Sequence, residues 1–529
     1  MRRVHVEELE DLLERLDGAR YGAYKRLYSV EIVAECGVAR FTRVQGDPYA
    51  PPSVLEARGR LRLPPLASRY PAAVSDYGYR LLYRFSRRVS RKRGTGNSGF
   101  VGVPRPSNAM LRRSGFEVLG ERFVARVWVG LPARGRRILG REAYETIRGA
   151  LGAICDAVKG VGGEGLERHV VNYAVQEELR ERLREEKLAA FIGEGAVLPR
   201  RCGWCEEPLP DAVPFEPPPS LRVELETRWG VYAGMGIPRG FTVVTGHPFH
   251  GKTTLLEAIA AGVYNHVEGD GRERVVALRS TAWIEAEDGR PVHGVDLSPL
   301  IHGLPGRVDP RRFTTSDASG ATSMAASIVE SLCAGAELLL VDEDRAATNL
   351  LHVDERVSKL AGPPPITPLS TYARSLSKLG ISVVVVSGAL GSLLEEAETV
   401  ILVKSFNPAR VERRRVEEGK PRLPECRRLR TKPWRSKPRP PRLIGRDGYE
   451  ASLESNRVLV EDGQYNTIAA LLSRSWEGTL REIAERVDRL MEEGFEAIVE
   501  NPPPNLTEVR GLDFIHALAR LPPGHVQPS

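Results

Sequence analysis

The sequence predicts a mixed α/β protein whose central domain is a largely parallel sheet flanked by helices. Three observations lead there. Strand-sized apolar runs alternate with helical segments between about Leu221 and Lys404, the order that a parallel sheet with crossover helices produces. A glycine-rich loop joins one of those runs, Phe241 to Thr245, directly to a helical segment. Two proline-rich stretches, one of them strongly basic, separate this domain from what precedes and follows it.

The 529 residues, 41% apolar and 27% charged with a formal net charge of +7, are enough for two or three domains with more than one buried core. The longest apolar runs, such as Val383 to Val386, are strand-sized and far short of a membrane span, which excludes an integral membrane protein. Met1 to Arg20 alternates charged and apolar residues like an amphipathic helix and lacks the apolar centre of a secretory signal, so a cytoplasmic location is expected. Six scattered cysteines are too few for a disulfide framework and agree with a reducing compartment. Cys202 and Cys205 alone stand at ligand spacing, and without a second pair or nearby histidines they cannot close a tetrahedral zinc site; they read as incidental thiols in a loop. Ten Asn and four Gln beside abundant Arg, Glu and Pro suit a thermophilic source. Arginine is then favoured for stability, so the basic balance by itself says little about nucleic acid.

Residues 1–205 read as an N-terminal mixed α/β domain. Glu121 to Val129 alternates at period two as a half-buried strand does, and Ala174 to Ala190 is a charged helical stretch. Pro208, Pro210, Pro214, Pro217, Pro218 and Pro219 mark 206–220 as a linker, since no regular element tolerates that density of proline. In 221–404 the strand-like runs are Phe241 to Thr245, Val275 to Leu278, Leu338 to Val341 and Val383 to Ser387. Residues 404 to 446 carry 16 Lys and Arg against 4 Glu, with seven prolines, and should form a loop, arm or extended wrap. A basic arm over 405–450 and a helical C-terminal region over 451–529 complete the division, with Thr479 to Phe495 at helical periodicity and Pro502 to Pro504 as its stop.

The strongest chemical signal is Gly246-His247-Pro248-Phe249-His250-Gly251-Lys252-Thr253, a G-x-x-x-x-G-K-[ST] loop between the run Phe241 to Thr245 and the helical Leu255 to Gly262. Such a loop turns successive N–H groups and a helix N-terminus toward an anion, where dipole and unpaired donors both favour phosphate. Gly246, Phe249, His250, Gly251, Lys252, Thr253 and Thr254 are the expected nucleotide contacts, Lys252 reaching the β and γ phosphates and Thr253 ligating Mg²⁺. Leu338 to Val341 reads as a buried strand ending in Asp342 and Glu343, where Asp342 can hold Mg²⁺ through water and Glu343 can act as general base. Between these elements, Ser319-Gly320-Ala321 opens a helix over Ser323 to Ala334 that Gly335 closes. That helix N-terminus is a further anion site or an ordinary serine cap.

Taken together, these residues resemble the predicted ATPases of the ABC class, soluble proteins with a cassette ATPase core and no transporter segment. The resemblance extends to Gly234-Met235-Gly236-Ile237-Pro238, Gly262 to His266, Gly269 to Glu273, Glu287 to Arg290, Ala347-Thr348-Asn349 and Ile366-Thr367-Pro368. In the N-terminal half it includes Val44 to Pro48 and Gly130 to Arg136, so that it covers roughly 20 to 405. It implies a P-loop NTPase core of ABC-ATPase type, ATP and Mg²⁺ as cofactors, and ATP hydrolysis in a head-to-tail homodimer. The phosphate loop of one subunit and the Ser319 segment of the other would then enclose ATP. It also implies that Ala347-Thr348-Asn349 joins the two sites and that Glu287 or Asp288 takes the metal-sensing position usually held by glutamine. Ser387 stands where the class usually has a histidine contacting the γ-phosphate, a departure consistent with slow turnover.

For the work done by the ATPase, the basic region offers Arg413, Arg414, Arg415, Arg427 and Arg428 as phosphate-backbone contacts and Trp434 as a stacking surface. Ser86 to Arg93 adds a second basic patch. RNA is the first expected partner and DNA the second. The alternatives are a dimeric scaffold held by ATP with little turnover, and a P-loop small-molecule kinase.

Overall fold

A computed structural model describes residues 2–203, 205–353, 360, 362, 364–388, 390–414 and 422–528. The chain forms two units, one of Met1–Tyr173 with Leu490–Glu508 and one of Ala174–Arg489 with Val509–Ser529.

The first unit is built on a seven-stranded sheet. Arg2–His5 pairs in parallel with Val30–Ala34, and the order continues antiparallel through Gly37–Arg43, Ser53–Arg60, Arg122–Val129 and Val101–Gly102. Phe116–Leu119 also pairs with Arg122–Val129. The helix Pro71–Val89 buries Val74, Leu81 and Leu82, and the helix Gly140–Gly160 buries Ile147, Leu151 and Ile154. Period two predicts Arg122–Val129 to be half-buried, whereas nearly all of it is inside. The reason is Arg126, whose guanidinium is buried and donates to Glu56 at 2.8 Å, to the Ser114 carbonyl at 2.9 Å, to Glu496 at 2.9 Å and to Glu117. A guanidinium with each of its three nitrogens matched can occupy an interior position.

The second unit holds a six-stranded sheet in the order Thr281–Ile284, Leu338–Asp342, Ser382–Ser387, Phe241–Thr245, Thr399–Lys404 and Asn407–Arg413. The first five strands run parallel and the last antiparallel. Val, Leu and Ile fill the central strands without alternation because helices cover both faces. The helix Gly320–Ala334 is capped by the Ser319 side chain, which accepts from the Thr322 N–H, and ends at Gly335 in the left-handed region. Met324, Ile328 and Val329 on it pack with Val341, Val383 and Val385 in one core. Val275–Ala277, read as part of the parallel run, pairs instead with Leu188–Gly193 in an antiparallel four-stranded sheet. A short apolar run reads the same in either sheet, so only pairing decides between them.

Two further expectations are corrected. The basic region is folded among its described residues. Asn407–Arg413 forms the sheet edge, Arg428–Thr431 pairs with Glu477–Thr479 and Val526–Pro528, and Ser436–Arg439, Arg442–Gly445 and Glu450–Ser452 make another small sheet. Period two explains why charge does not prevent this. Leu429, Thr431 and Leu443 turn inward while the arginines between them turn out and meet glutamates, Arg430 with Glu477 at 3.2 Å and Arg442 with Glu450 at 3.0 Å. The cysteines, read as thiols, are disulfide-bonded as Cys36–Cys155, Cys202–Cys205 and Cys333–Cys426. Two of these pairs lie 119 and 93 positions apart, so the chain order hides them. Disulfides inside cells are rare except in hyperthermophiles. Among the described residues no helix is long and apolar enough to cross a membrane.

Candidate functional site

The site lies at the C-terminal ends of the parallel strands in the second unit, where open α/β sheets bind ligands. Phe241–Thr245 runs into the glycine loop, and the helix Lys252–Ala261 begins immediately after it. Gly246 has φ +146° and a Cβ there would lie 2.3 Å from the Val403 carbonyl oxygen, so no other residue fits. Gly251 has φ +92° and lies against Phe406, whose N–H donates to the His250 carbonyl at 2.9 Å. Phe249 also has positive φ, +66°, and its side chain is 97% exposed. The His247 and His250 rings stand edge to face, 6.0 Å apart.

Lys252 is drawn back over the loop, its Nζ donating to the carbonyls of Gly246 at 2.8 Å and His247 at 3.0 Å. Thr253 Oγ1 donates to Asp342 Oδ2 at 2.9 Å. Asp342 is buried at the end of Leu338–Asp342, and its other oxygen accepts from the Asp344 N–H at 3.2 Å. Glu343 follows on the next residue and points elsewhere, its Oε2 accepting from the Gly388 N–H at 2.8 Å. Register explains the meeting, since Asp342 lies beside Val386 and Thr245 beside Ser387 in neighbouring strands. A Cβ on Gly388 would come 3.5 Å from the Lys252 ammonium. Lys252, Thr253, Asp342, Glu343 and the Ser387-Gly388 step therefore form one cluster, with Thr254 on the first helical turn. Ser387 is buried with its hydroxyl accepting from the Leu390 N–H at 3.3 Å.

Ser319, Gly320 and Ala321 stand apart from that cluster. Ser319 bonds Thr322, Ser323 Oγ accepts from the Glu287 N–H at 2.8 Å, and the Gly289 N–H donates to the Ala318 carbonyl at 2.8 Å. Among the described residues the hydrogen bonds of this segment stay with its own helix turn and with 287–290, away from 246–254.

Glu287, expected in a metal role, is engaged by the C-terminal segment. Its carboxylate is taken by Arg520, with Nε to Oε2 at 2.9 Å and a second bond from the other nitrogen, and Arg290 lies 3.9 Å away. Burial pushes the carboxyl up, but Arg520 and Arg290 more than offset it and hold it at about 2. Asp288 is exposed beside Gly320.

Most of the nucleic-acid candidates are engaged within the chain. Trp434 is 2% exposed and its indole N–H donates to Asp447 at 3.3 Å, so no face is available for stacking. Arg414 pairs with Glu412 at 2.7 Å, Arg427 with Glu425 at 2.9 Å and Arg428 with Glu482 at 2.9 Å. Arg413 is exposed, and Arg415 lies outside the described residues. Sequence reasoning missed Phe406, which touches the loop from a distant strand end; it carries no motif that would have singled it out.

Comparison with known proteins adds two family matches. A model described as the P-loop domain of the ABC ATPases matches residues 162–434, and one described as the N-terminal region of ATPases of the ABC class matches 6–158. An uncharacterized protein of Methanocaldococcus jannaschii is 32% identical over 195 residues, covering 35% of this chain and 42% of that protein. The chain thus spans less than half the length of that relative. Among solved structures, an ATP-binding cassette dimer described as a post-hydrolysis state with ADP and Pi aligns at 12% identity and a TM-score of 0.22, over 37% of this chain and 97% of that one. The ADP conformation of a cassette from an ABC transporter aligns at 11% identity and a TM-score of 0.23, over 34% of this chain and 84% of that one.

Proposed function

Because this chain belongs to the ATPases of the ABC class, we propose that it binds ATP with Mg²⁺ and hydrolyses it in a cytoplasmic, head-to-tail homodimer. The observation that carries this reading is the convergence of Thr253 Oγ1 and Asp342 Oδ2, 2.9 Å apart, beside the Lys252 ammonium and a separately held Glu343. A hydroxyl and a carboxylate are the hard oxygen donors that Mg²⁺ takes, so the residues fit the ion. When bound, the ion neutralises charge on the phosphates. The remaining work falls to the chain. Lys252 exchanges its two loop carbonyls for phosphate oxygens, and the N–H groups of the loop and of the first helical turn cradle them. Glu343, held by the Gly388 N–H, accepts a proton from the attacking water. Ser387 does not carry charge toward the γ-phosphate, which favours slow turnover and supports the scaffold alternative as the second reading.

Among the described residues, Ser319 and Gly320 bond within their own helix turn, which supports the segment's serving the nucleotide of a second copy. The reading includes coupling to nucleic acid, RNA before DNA.

The test is Mg-ATP turnover at elevated temperature with Lys252→Ala as blank. Glu343→Gln should lower turnover by about a hundredfold to ten-thousandfold while ATP shifts the variant toward dimer in size-exclusion chromatography. Unchanged turnover in Glu343→Gln would refute the assignment of the base; wild-type turnover equal to that of Lys252→Ala, with an ATP-induced dimer, would establish the scaffold.

A further inference from the structure

After residue 404, Arg410, Arg414, Arg427, Arg428, Arg430 and Arg442 meet glutamates, whereas most arginines of one helix in the first unit do not face a carboxylate. Arg80, Tyr83, Arg84, Arg87 and Arg88 on Pro71–Val89 line an open groove of about 580 Å³ whose other wall is Arg105, Pro106 and Asn108. No carboxylate lines it. Arg84, Arg87, Arg88 and Arg105 are exposed.

The groove is built rather than incidental. Arg80 forms its floor, donating to Asp76 at 2.7 Å and to the carbonyls of Ser107 at 2.7 Å and Ala109 at 2.9 Å, which ties the helix to the opposite wall. Asp76 is fully buried and is shared with Arg113 and His169. Burial pushes its carboxyl up, and Arg80 and Arg113 more than offset that, holding it well below the usual carboxylate range. Asp76 thus joins Arg80 and Arg113 beneath the groove. Arg84 and Arg88 are one turn apart and Arg80 one turn before them, so the row spans about 12 Å of helix axis. One nucleic-acid strand presents three or four phosphates over about that length.

We propose that this groove binds single-stranded nucleic acid, the arginine row taking the phosphates and the Tyr83 and Arg87 planes taking bases. Arg87 lies over the Tyr83 ring at 5.5 Å and donates to its hydroxyl at 3.2 Å, which holds together a guanidinium and an aromatic ring, the two kinds of side chain on which unpaired bases stack. A duplex hides its base faces and gains nothing from that surface. The proposal rests on the nucleic-acid part of the reading above and moves the contact from the basic region to this helix.

The experiment is fluorescence anisotropy with the full-length chain carrying Lys252→Ala and no nucleotide, so that the ATPase reading does not enter. Probes are labelled 20-nucleotide oligouridylate and oligothymidylate and a 20-base-pair duplex. Arg84→Ala/Arg87→Ala/Arg88→Ala should weaken single-strand binding at least tenfold and lower the slope of log K against log salt by about 1.4, the two phosphate contacts of Arg84 and Arg88 at about 0.7 each, with Arg87 contributing through stacking. Arg84→Lys/Arg87→Lys/Arg88→Lys should keep most of the slope, which separates lost charge from lost fold. The charge-matched Arg410→Ala/Arg414→Ala/Arg430→Ala should lose less than threefold. Equal losses from the two alanine triples would overturn the proposal, as would absence of binding, a duplex preference that the groove variant abolishes, or equal competition by polyglutamate.

Discussion

Removing Arg520 exposes how the C-terminal segment governs the strand end beside the nucleotide cluster. The Arg520 side chain is 3% exposed and that of Glu287 15%, so water cannot replace the guanidinium. With Glu287 held at about 2 against its ordinary 4.5, burial outweighed by Arg520 and then Arg290, the surroundings of this carboxylate together contribute about 3 kcal/mol at neutral pH. The folded-state pKa is depressed, so this contribution is complete above about pH 4.5 and is lost as pH falls toward 2. Arg520→Met leaves Glu287 with Arg290 at 3.9 Å as its nearest cation, and breaking a buried pair from one side costs about 3–5 kcal/mol. The assay is urea unfolding followed by tryptophan fluorescence, because five of the six tryptophans lie in the second unit. At pH 7.5 the Arg520→Met midpoint should drop by the equivalent of about 3–5 kcal/mol. Adding Glu287→Gln should recover more than half of the loss, and the gap from wild type should narrow between pH 4.5 and pH 3. If Arg520→Met and Glu287→Gln add within about 0.5 kcal/mol and the gap is the same at both ends of the pH range, the pair is not coupled and the reasoning fails.

Two other outcomes follow from the corrections. Trp434→Ala should destabilise the second unit by about 3–5 kcal/mol, as emptying a buried aromatic site does, yet leave the salt slope of nucleic-acid binding unchanged; loss of that slope without loss of stability would return Trp434 to a surface role. Cys333→Ser opens a loop of 93 residues, and the chain-entropy model then predicts a loss of up to about 4.6 kcal/mol; equal urea midpoints for this variant and the oxidised wild type would show that the pair does not form in solution.

The phosphate loop, the carboxylate strand and the Ser319 helix start were legible in the sequence because each is local. Gly246 and Gly251 declare backbone conformations that few other residues adopt, an unbroken apolar run declares a buried strand, and Ser319 declares a helix cap. Lys252, Thr253, Asp342 and Glu343 are brought together by strand register, which the parallel order already implied.

The partners of charges were not legible. Nothing near Glu287 in the chain announces Arg520, 233 positions away, and nothing near Arg430 announces Glu477. A run of arginines therefore looked like a bare polyanion contact until cross-strand glutamates met it, while the sparser arginines of Pro71–Val89 proved to line the open groove. Trp434 looked available for stacking because burial depends on what packs over a ring, and six cysteines looked reduced because pairing needs Cα atoms about 5 Å apart. The sequence by itself determined the family, the α/β core and the nucleotide cluster, since backbone propensity and burial period act over neighbouring residues. Only the tertiary structure decided which charges are neutralised, because Coulomb energy and desolvation depend on distance through space.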